Sequence, residues 1–280
     1  MSRITEARNL ADDYRSAEVI TGALEFLSAA KMQELRQQFE QNALFFNGIS
    51  EVYSIVHRHS KEKKKKGWRK SRSAQRADIY IALTSNKRFY GTLNRDIARS
   101  FIAVMKSQKD ADYVMVGQTG AQYLNEAEVS NDVTYMDFLD DSPNADEFQK
   151  IISLVDSHER VFMVYPKFVN PFRQEVVMTN VAEGIVPDQG AATDVDYIFE
   201  PEIPGMIEFF EGQVRYALFG RVMLEAELAR AAARTMKMHS ARDRAGDLRA
   251  VNERILRHEF DVFADIERMA SFTGFNAWRI

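Results

Sequence analysis

Cysteine is absent from all 280 residues. That removes disulfides, thiolate metal sites and any redox switch built on paired thiols. Histidine is scarce: His57, His59, His158, His239 and His258 are the whole set, and none stands in an HExxH or similar ligand pair. His57 and His59 lie two apart, which puts them on different sides of a helix. No metal and no cofactor is expected. No stretch reaches the roughly eighteen consecutive apolar positions that a membrane-spanning helix needs. The net charge of −4 provides no global drive toward nucleic acid or an anionic membrane. The opening residues MSRITEARNLADDYR mix acids and bases without an apolar core, unlike a signal or transit peptide. A soluble, cytoplasmic protein is expected.

Proline is missing from Thr5 to His59, where the only glycines are Gly22 and Gly48. An uninterrupted helix of about 55 residues would be ~80 Å long. Phe39, Phe46, Ile49, Tyr53 and Val56 follow one another at spacings of 7, 3, 4 and 3. This is a heptad-like seam that requires a second long helix. Within the same stretch, Ile20 to Gln37 reads ITGALEFLSAAKMQELRQ. Ile20, Leu24 and Leu27 share one side, and Ala23, Ala29 and Ala30 keep the surface thin. The plainer reading is a buried helix; the sharper one is a smooth surface built for close approach. Its counterpart runs from Glu225 to Asp247, opening with EAELARAAARTMKM. No proline interrupts Gly205 to Phe272, and Phe260, Phe263, Ile266 and Met269 mark an apolar edge near the end.

Between the helices the pattern changes. Asp78–Leu83 (DIYIAL), Asp112–Val116 (DYVMV), Arg160–Tyr165 (RVFMVY) and Gln174–Asn180 (QEVVMTN) read as strands, with a short extended piece at Tyr197–Phe199. Arg95–Lys106, a segment to about Asn125 and Glu147–His158 read as helices. Strands alternating with helices predict a Rossmann-like parallel sheet. The loops TSNKRFYGTLN and GQTG match neither GxGxxG nor GxxxxGK[ST], so the spacing that brings backbone N–H groups onto phosphate is missing. Asp140 and Asp141 sit beside a Ser142-Pro143-Asn144 turn, where adjacent acids are ordinarily solvated. His59 to Arg76 holds nine Lys or Arg residues against one Glu. It reads as a solvated linker, with a phosphate- or lipid-binding patch as the competing reading. The expected division is an N-terminal coiled-coil helix (1–60), a basic linker (61–77), a Rossmann-like α/β domain (78–204) and a C-terminal coiled-coil helix (205–280). The fold class is therefore α/β, with long terminal helices forming an antiparallel coiled coil around an inserted Rossmann-like domain.

Four separated stretches, in order, resemble the γ subunit of F-type ATP synthases. ITGALEFLSAAKMQELR is similar to that family's ITKAMEMVAASKMRKAQ, and TSNKRFYGTLNRDI to SSDRGLCGGLNSNL after the first strand. VYPKFVNPFRQE resembles YNKFVNTxxQE, and EAELARAAARTMKMHSARDRAGDL resembles SEHAARMVAMKNATDNAxxL. The resemblance implies a non-catalytic rotor shaft turning inside a hexamer of α and β subunits. It couples proton- or sodium-driven rotation to ATP synthesis or hydrolysis, and the nucleotides sit on the partners. It further implies a small stalk subunit of the ε/δ type and a membrane rotor ring as partners. The location implied is peripheral, on the cytoplasmic face of the inner membrane. Ile20, Thr21, Leu24, Leu27, Lys31, Ala232, Met236, Phe260 and Phe263 are then expected to face the α/β sleeve. Lys87, Arg88, Tyr90 and Asn94 are expected to face the ring or the small stalk subunit. The chain departs from the pattern, with about eight extra residues before Arg15 and an unusually Lys-rich connector. Gly22 stands where the family carries Lys, and NERILRHEFDVFADIERMASF from Asn252 onward does not align with NKARQAAITQEI. A γ-like shaft of a variant rotary ATPase is the near alternative. An α/β enzyme would need a convergent polar pocket, and a basic helical hairpin binding nucleic acid would rest on Lys61–Arg76.

Overall fold

The computed structural model describes residues 2–63, 78–108, 110–127, 132–138, 143–156, 158, 160–181, 200 and 203–277. The chain divides into two compact units, one formed by Met1–Ala29 with Arg234–Ile280 and one by Ala30–Ala233. Two helices contribute to both: α1, Ser2–Lys63, and α5, Ile203–Ala277. They are longer at the inner ends than the sequence pattern suggests. Pro204 does not stop α5, because it lies in the first turn, where a missing N–H has no intrahelical partner anyway.

In the first unit, the start of α1 runs antiparallel to the end of α5. The guanidinium of Arg8 stacks over Phe260, with its centre 5.7 Å from the ring centroid. Further along, Glu18 meets Arg249 at 3.2 Å, and Glu25 meets Arg242 at 2.9 Å and His239 at 3.0 Å. The inward positions of α1 are Ala7, Ala11, Tyr14, Glu18, Thr21, Glu25 and Ser28, alternately four and three apart and all buried or half-buried. That is a heptad seam made of small and polar residues. Partly exposed ion pairs of this kind are individually worth under about 1 kcal/mol, so they fix register more than they add stability. Gly22 belongs here as well, since a Cβ at this position would come 3.3 Å from the Arg242 side chain.

In the second unit the seam turns apolar. Leu35 packs with Leu228 and Ala231, and Tyr53 and Val56 pack with Ile207 and Val214. Between these clusters Arg221 lies over the rings of Phe39 and Phe46. The sheet of this unit comprises β1 (Asp78–Leu83), β2 (Ala111–Val116), β3 (Val133–Met136), β4 (Val161–Asn170) and β5 (Arg173–Asn180), in the order β3-β2-β1-β4-β5. The first four are parallel, and β5 returns antiparallel to β4. The sheet is therefore mixed rather than purely parallel, because only Pro171 and Phe172 separate β4 from β5. A two-residue connection allows only an antiparallel return.

Strand alternation assigns the two faces. Ile79, Ile81 and Leu83 of β1 point toward Ile151 and Ile152 of α4 (Ala145–Asp156) and toward Phe219, Val222, Met223 and Ala226 of α5. Tyr80 and Ala82 point the other way, toward Leu93, Ile97, Phe101 and Met105 of α2 (Leu93–Ser107) and Leu124 of α3 (Gln118–Glu126). Both faces are covered, so β1 reads as a continuous apolar run. The sequence reading carries α4 on to His158. Instead the helix ends at Asp156, and His158 turns back, its ring 2.7 Å from the Leu154 carbonyl and 2.8 Å from Asp112. The expected extended piece at Tyr197–Phe199 and the segment 64–77 lie outside the described residues.

Replacing Phe219, which is fully buried, with Ala should cost about 3–5 kcal/mol. The same change at exposed Ile20 should stay within about 0.5 kcal/mol. Denaturant unfolding of the two variants checks the assignment of inside and outside; equal losses would contradict it.

Candidate functional site

Two surfaces deserve the description of sites, one in each unit. In the first unit the small, polar seam faces inward, so the larger apolar residues of α1 face out. Ile20 is 60% exposed, Phe26 73% and Leu27 62%. On α5, Ile266, Met269 and Phe272 are 60–74% exposed, and α5 continues there beyond the level at which α1 begins. Apolar side chains of this size, left open on both helices, mark a surface made for protein contact. Among the residues singled out from sequence, Ile20, Leu27 and Phe260 lie on this outer surface, while Leu24, Met236 and Phe263 are half-buried. The Thr21 hydroxyl donates to the Ala17 carbonyl at 2.7 Å and stays with its own helix. In the second unit Lys31 is exposed and donates to Glu34 at 3.1 Å, and Ala232 is fully buried. Phe26 and Phe272 were not singled out, whereas Ile266 and Met269 belong to the apolar edge read near the end of the sequence. The signal for Phe26 was its position, two residues from the seam position Ser28.

The second surface is the C-terminal edge of the parallel strands, where open α/β sheets bind ligands. Here the loop after β1 fills the space itself. α3 begins at Gln118, so the GQTG segment is a helix start rather than a loop. Its first N–H groups already have acceptors: Gln118 N–H donates to Asn86 Oδ1 at 2.9 Å, Thr119 N–H to the Ser85 carbonyl at 3.2 Å, and Gly120 N–H to Thr84 Oγ1 at 3.1 Å. These are the donors that would otherwise cradle a phosphate. The glycines serve close packing. Gly117 has φ +97°, and a Cβ on Gly120 would come 2.4 Å from Met115 Sδ and Thr84 Oγ1. Asp137 braces the arrangement, accepting from Asn86 Nδ2 at 2.5 Å and Gln118 Nε2 at 2.6 Å. Asn94 is buried and donates to Ser85 Oγ at 2.7 Å, and Tyr90 is buried as well. Lys87 and Arg88 alone of that predicted group are exposed.

One buried pair adds electrostatics. The Tyr165 hydroxyl donates to Glu225 Oε2 at 3.1 Å. Burial, reinforced by the Glu225 charge, pushes the phenol up to about 12. Burial also raises the Glu225 carboxyl above its ordinary value, partly offset by that hydrogen bond and by Lys167 and Arg221.

The ATP synthase family model matches residues 4–255. The chain belongs to the ATP synthase γ-subunit family. The γ chain of Nitrosospira multiformis is 25% identical over 273 residues, covering 90% of this chain and 91% of its own. That of Psychrobacter sp. (strain PRwf-1) is 24% identical over 269 residues, covering 89% of each. The fold is that of solved rotor subunits. The central-stalk chain of the Tetrahymena thermophila mitochondrial ATP synthase gives a TM-score of 0.57 at 19% identity, covering 79% of this chain and 99% of its own. The rotor chain of the Euglena gracilis mitochondrial enzyme gives 0.57 at 12% identity, covering 93% and 98%. The four parallel strands stand in a Rossmann-like order, and the first N–H groups of α3 at their C-terminal edge are taken up by the loop after β1. No helix among the described residues is long and apolar enough to cross a membrane.

Two outcomes check these assignments. Calorimetry of the chain with ATP, ADP or NAD should show no saturable binding, because the α3 donors are taken; micromolar affinity would refute that. A carboxyl raised on folding stabilises fully below its unfolded pKa, and the contribution is lost as pH rises through the folded one. Glu225→Gln, which still accepts from Tyr165, should therefore match the parent near pH 4 and gain stability relative to it toward neutral pH. The reverse slope would contradict the burial argument.

Proposed function

We propose that this chain is the central rotor shaft of an F-type ATP synthase or ATPase. It does no chemistry itself and transmits torque between a membrane ion-driven ring and the catalytic α and β subunits. The observation that carries the reading is the outer surface of the first unit: a polar seam locks two long helices together, and large apolar side chains remain outside on both. Family membership supports the same role. Asymmetric contacts of such a shaft would favour different conformations of the surrounding sites at different angles, since a partner shifts a conformational equilibrium only through differential contacts. Ile20, Leu24, Leu27, Met236, Phe260 and Phe263 are assigned to the α/β sleeve, joined by Phe26, Met269 and Phe272. Lys87 and Arg88 are assigned to the ring or to a small stalk subunit of the ε/δ type. The complex would sit peripherally on the cytoplasmic face of the inner membrane.

Co-expression with the α and β subunits of its own organism tests the reading. A complex with rotary ATPase activity should be recovered, and Ile20→Asp with Leu27→Asp should weaken it while the isolated chain stays folded. Recovery of the chain free of α and β, or full activity in the double variant, would contradict it.

A further inference from the structure

The apolar seam of the second unit is periodic. On α1 it runs through Leu35, Phe39, Asn42, Phe46, Ile49, Tyr53 and Val56, all buried or half-buried and alternately four and three apart. A heptad repeat is ambiguous in register. Sliding one helix by a heptad, about 10 Å at 1.5 Å per residue, brings like positions together again. One member breaks the pattern. Asn42 is polar where its companions are apolar or aromatic, and its amide oxygen is buried without a hydrogen-bond partner among the described residues. Such a group costs stability, so apolar packing does not account for it. Its place along α5 does. Opposite stands Gly220, where a Cβ would come 3.8 Å from the Asn42 amide nitrogen, and α5 offers no side chain at that point. Arg221 lies over the rings of Phe39 and Phe46, which flank Asn42 on either side, and closes the same level. A heptad slide in either direction carries Asn42 to about the level of Val214 or of Leu228, which are buried apolar positions. The amide would there be pressed against a side chain that cannot bond to it.

We propose that Asn42, seated opposite Gly220, is the register lock of this seam and selects one of the slides that the heptad repeat allows. A lone buried amide in an otherwise apolar seam sets register at a cost in stability, because only one placement tolerates it. Resting on the shaft reading above, the lock keeps α1 and α5 from creeping past each other under torque. Asn42 is in this sense a positioning residue.

The test uses the full chain, whose lack of cysteine makes trapped disulfides unambiguous. Val56 and Ile207 pack in one cluster, so cysteines at these two positions report the observed register. Cysteines at Ile49 and Ile207 report α1 slid by a heptad, since a displacement of about 10 Å along the axis otherwise puts them out of disulfide reach. Asn42→Leu should raise the denaturant midpoint and speed oxidative closure of the displaced pair about tenfold or more. Ser50→Ala, which also removes a buried unpartnered polar group, should raise the midpoint and leave the displaced pair as slow as in the parent. In the complex with α and β subunits, ATP should hasten displaced closure in Asn42→Leu further. Displaced closure as slow in Asn42→Leu as in the parent, or a lowered midpoint, overturns the proposal. So does equal acceleration by Ser50→Ala, which would mean general loosening of the seam. Closure indifferent to ATP overturns the role under torque. Failure of the unaltered chain to join α and β subunits would sink the shaft reading, whereas crosslinking of the chain alone still decides the lock.

Discussion

Everything else in the molecule depends on how α1 and α5 share a seam. A helix of 62 residues and one of 75 hold together as single elements in water only if each buries a stripe against another element. Heptad spacing supplies that stripe in both units, but with different chemistry. In the second unit it is Leu35, Tyr53, Val56, Val214 and Leu228, which gain stability from apolar burial. In the first unit it is alanines, Thr21, Ser28 and the carboxylates of Glu18 and Glu25 opposite Arg249, Arg242 and His239. Small residues allow close approach, and opposed charges define which residue faces which. The larger apolar residues are thereby left for the outside.

That division explains what could be read from the sequence. Phe39, Phe46, Ile49, Tyr53 and Val56 are apolar and periodic, so the second-unit seam was legible. The first-unit seam was not, because Ala7, Ala11, Glu18, Thr21 and Glu25 carry too little hydrophobic contrast to stand out. Ile20, Leu24 and Leu27 have that contrast, and they draw attention to a side that leaves Ile20 and Leu27 exposed. A buried helix, the plainer reading of that stretch, is therefore not what these two residues form. β3 has only four residues, none fully buried, and offered no pattern to detect. The direction of β5 was in principle visible in the two-residue link Pro171-Phe172. His158 looked like the end of a helix because the apolar spacing of α4 runs up to it, whereas its ring is used to cap that helix and to reach Asp112.

The α/β part illustrates a fold kept while a ligand position is occupied from within. Its four parallel strands stand in a Rossmann-like order. Thr84, Ser85 and Asn86, however, satisfy the α3 donors, and Asp137 holds Asn86 and Gln118 in place. The glycines that raise the nucleotide question serve instead to let α3 approach β1 and β2.

The central claim is that the α1–α5 seam is internal and the outer face of the first unit meets a surrounding partner. Because the chain contains no cysteine, engineered disulfides probe it without background. In an assembled ATPase complex, a pair at Glu25 and His239 should form readily and leave ATP-driven rotation intact. A single cysteine at Leu27, bridged to a cysteine on the facing sleeve subunit, should stop rotation until reductant is added. Arrested rotation with the seam pair, or free rotation with the Leu27 bridge closed, would contradict the account.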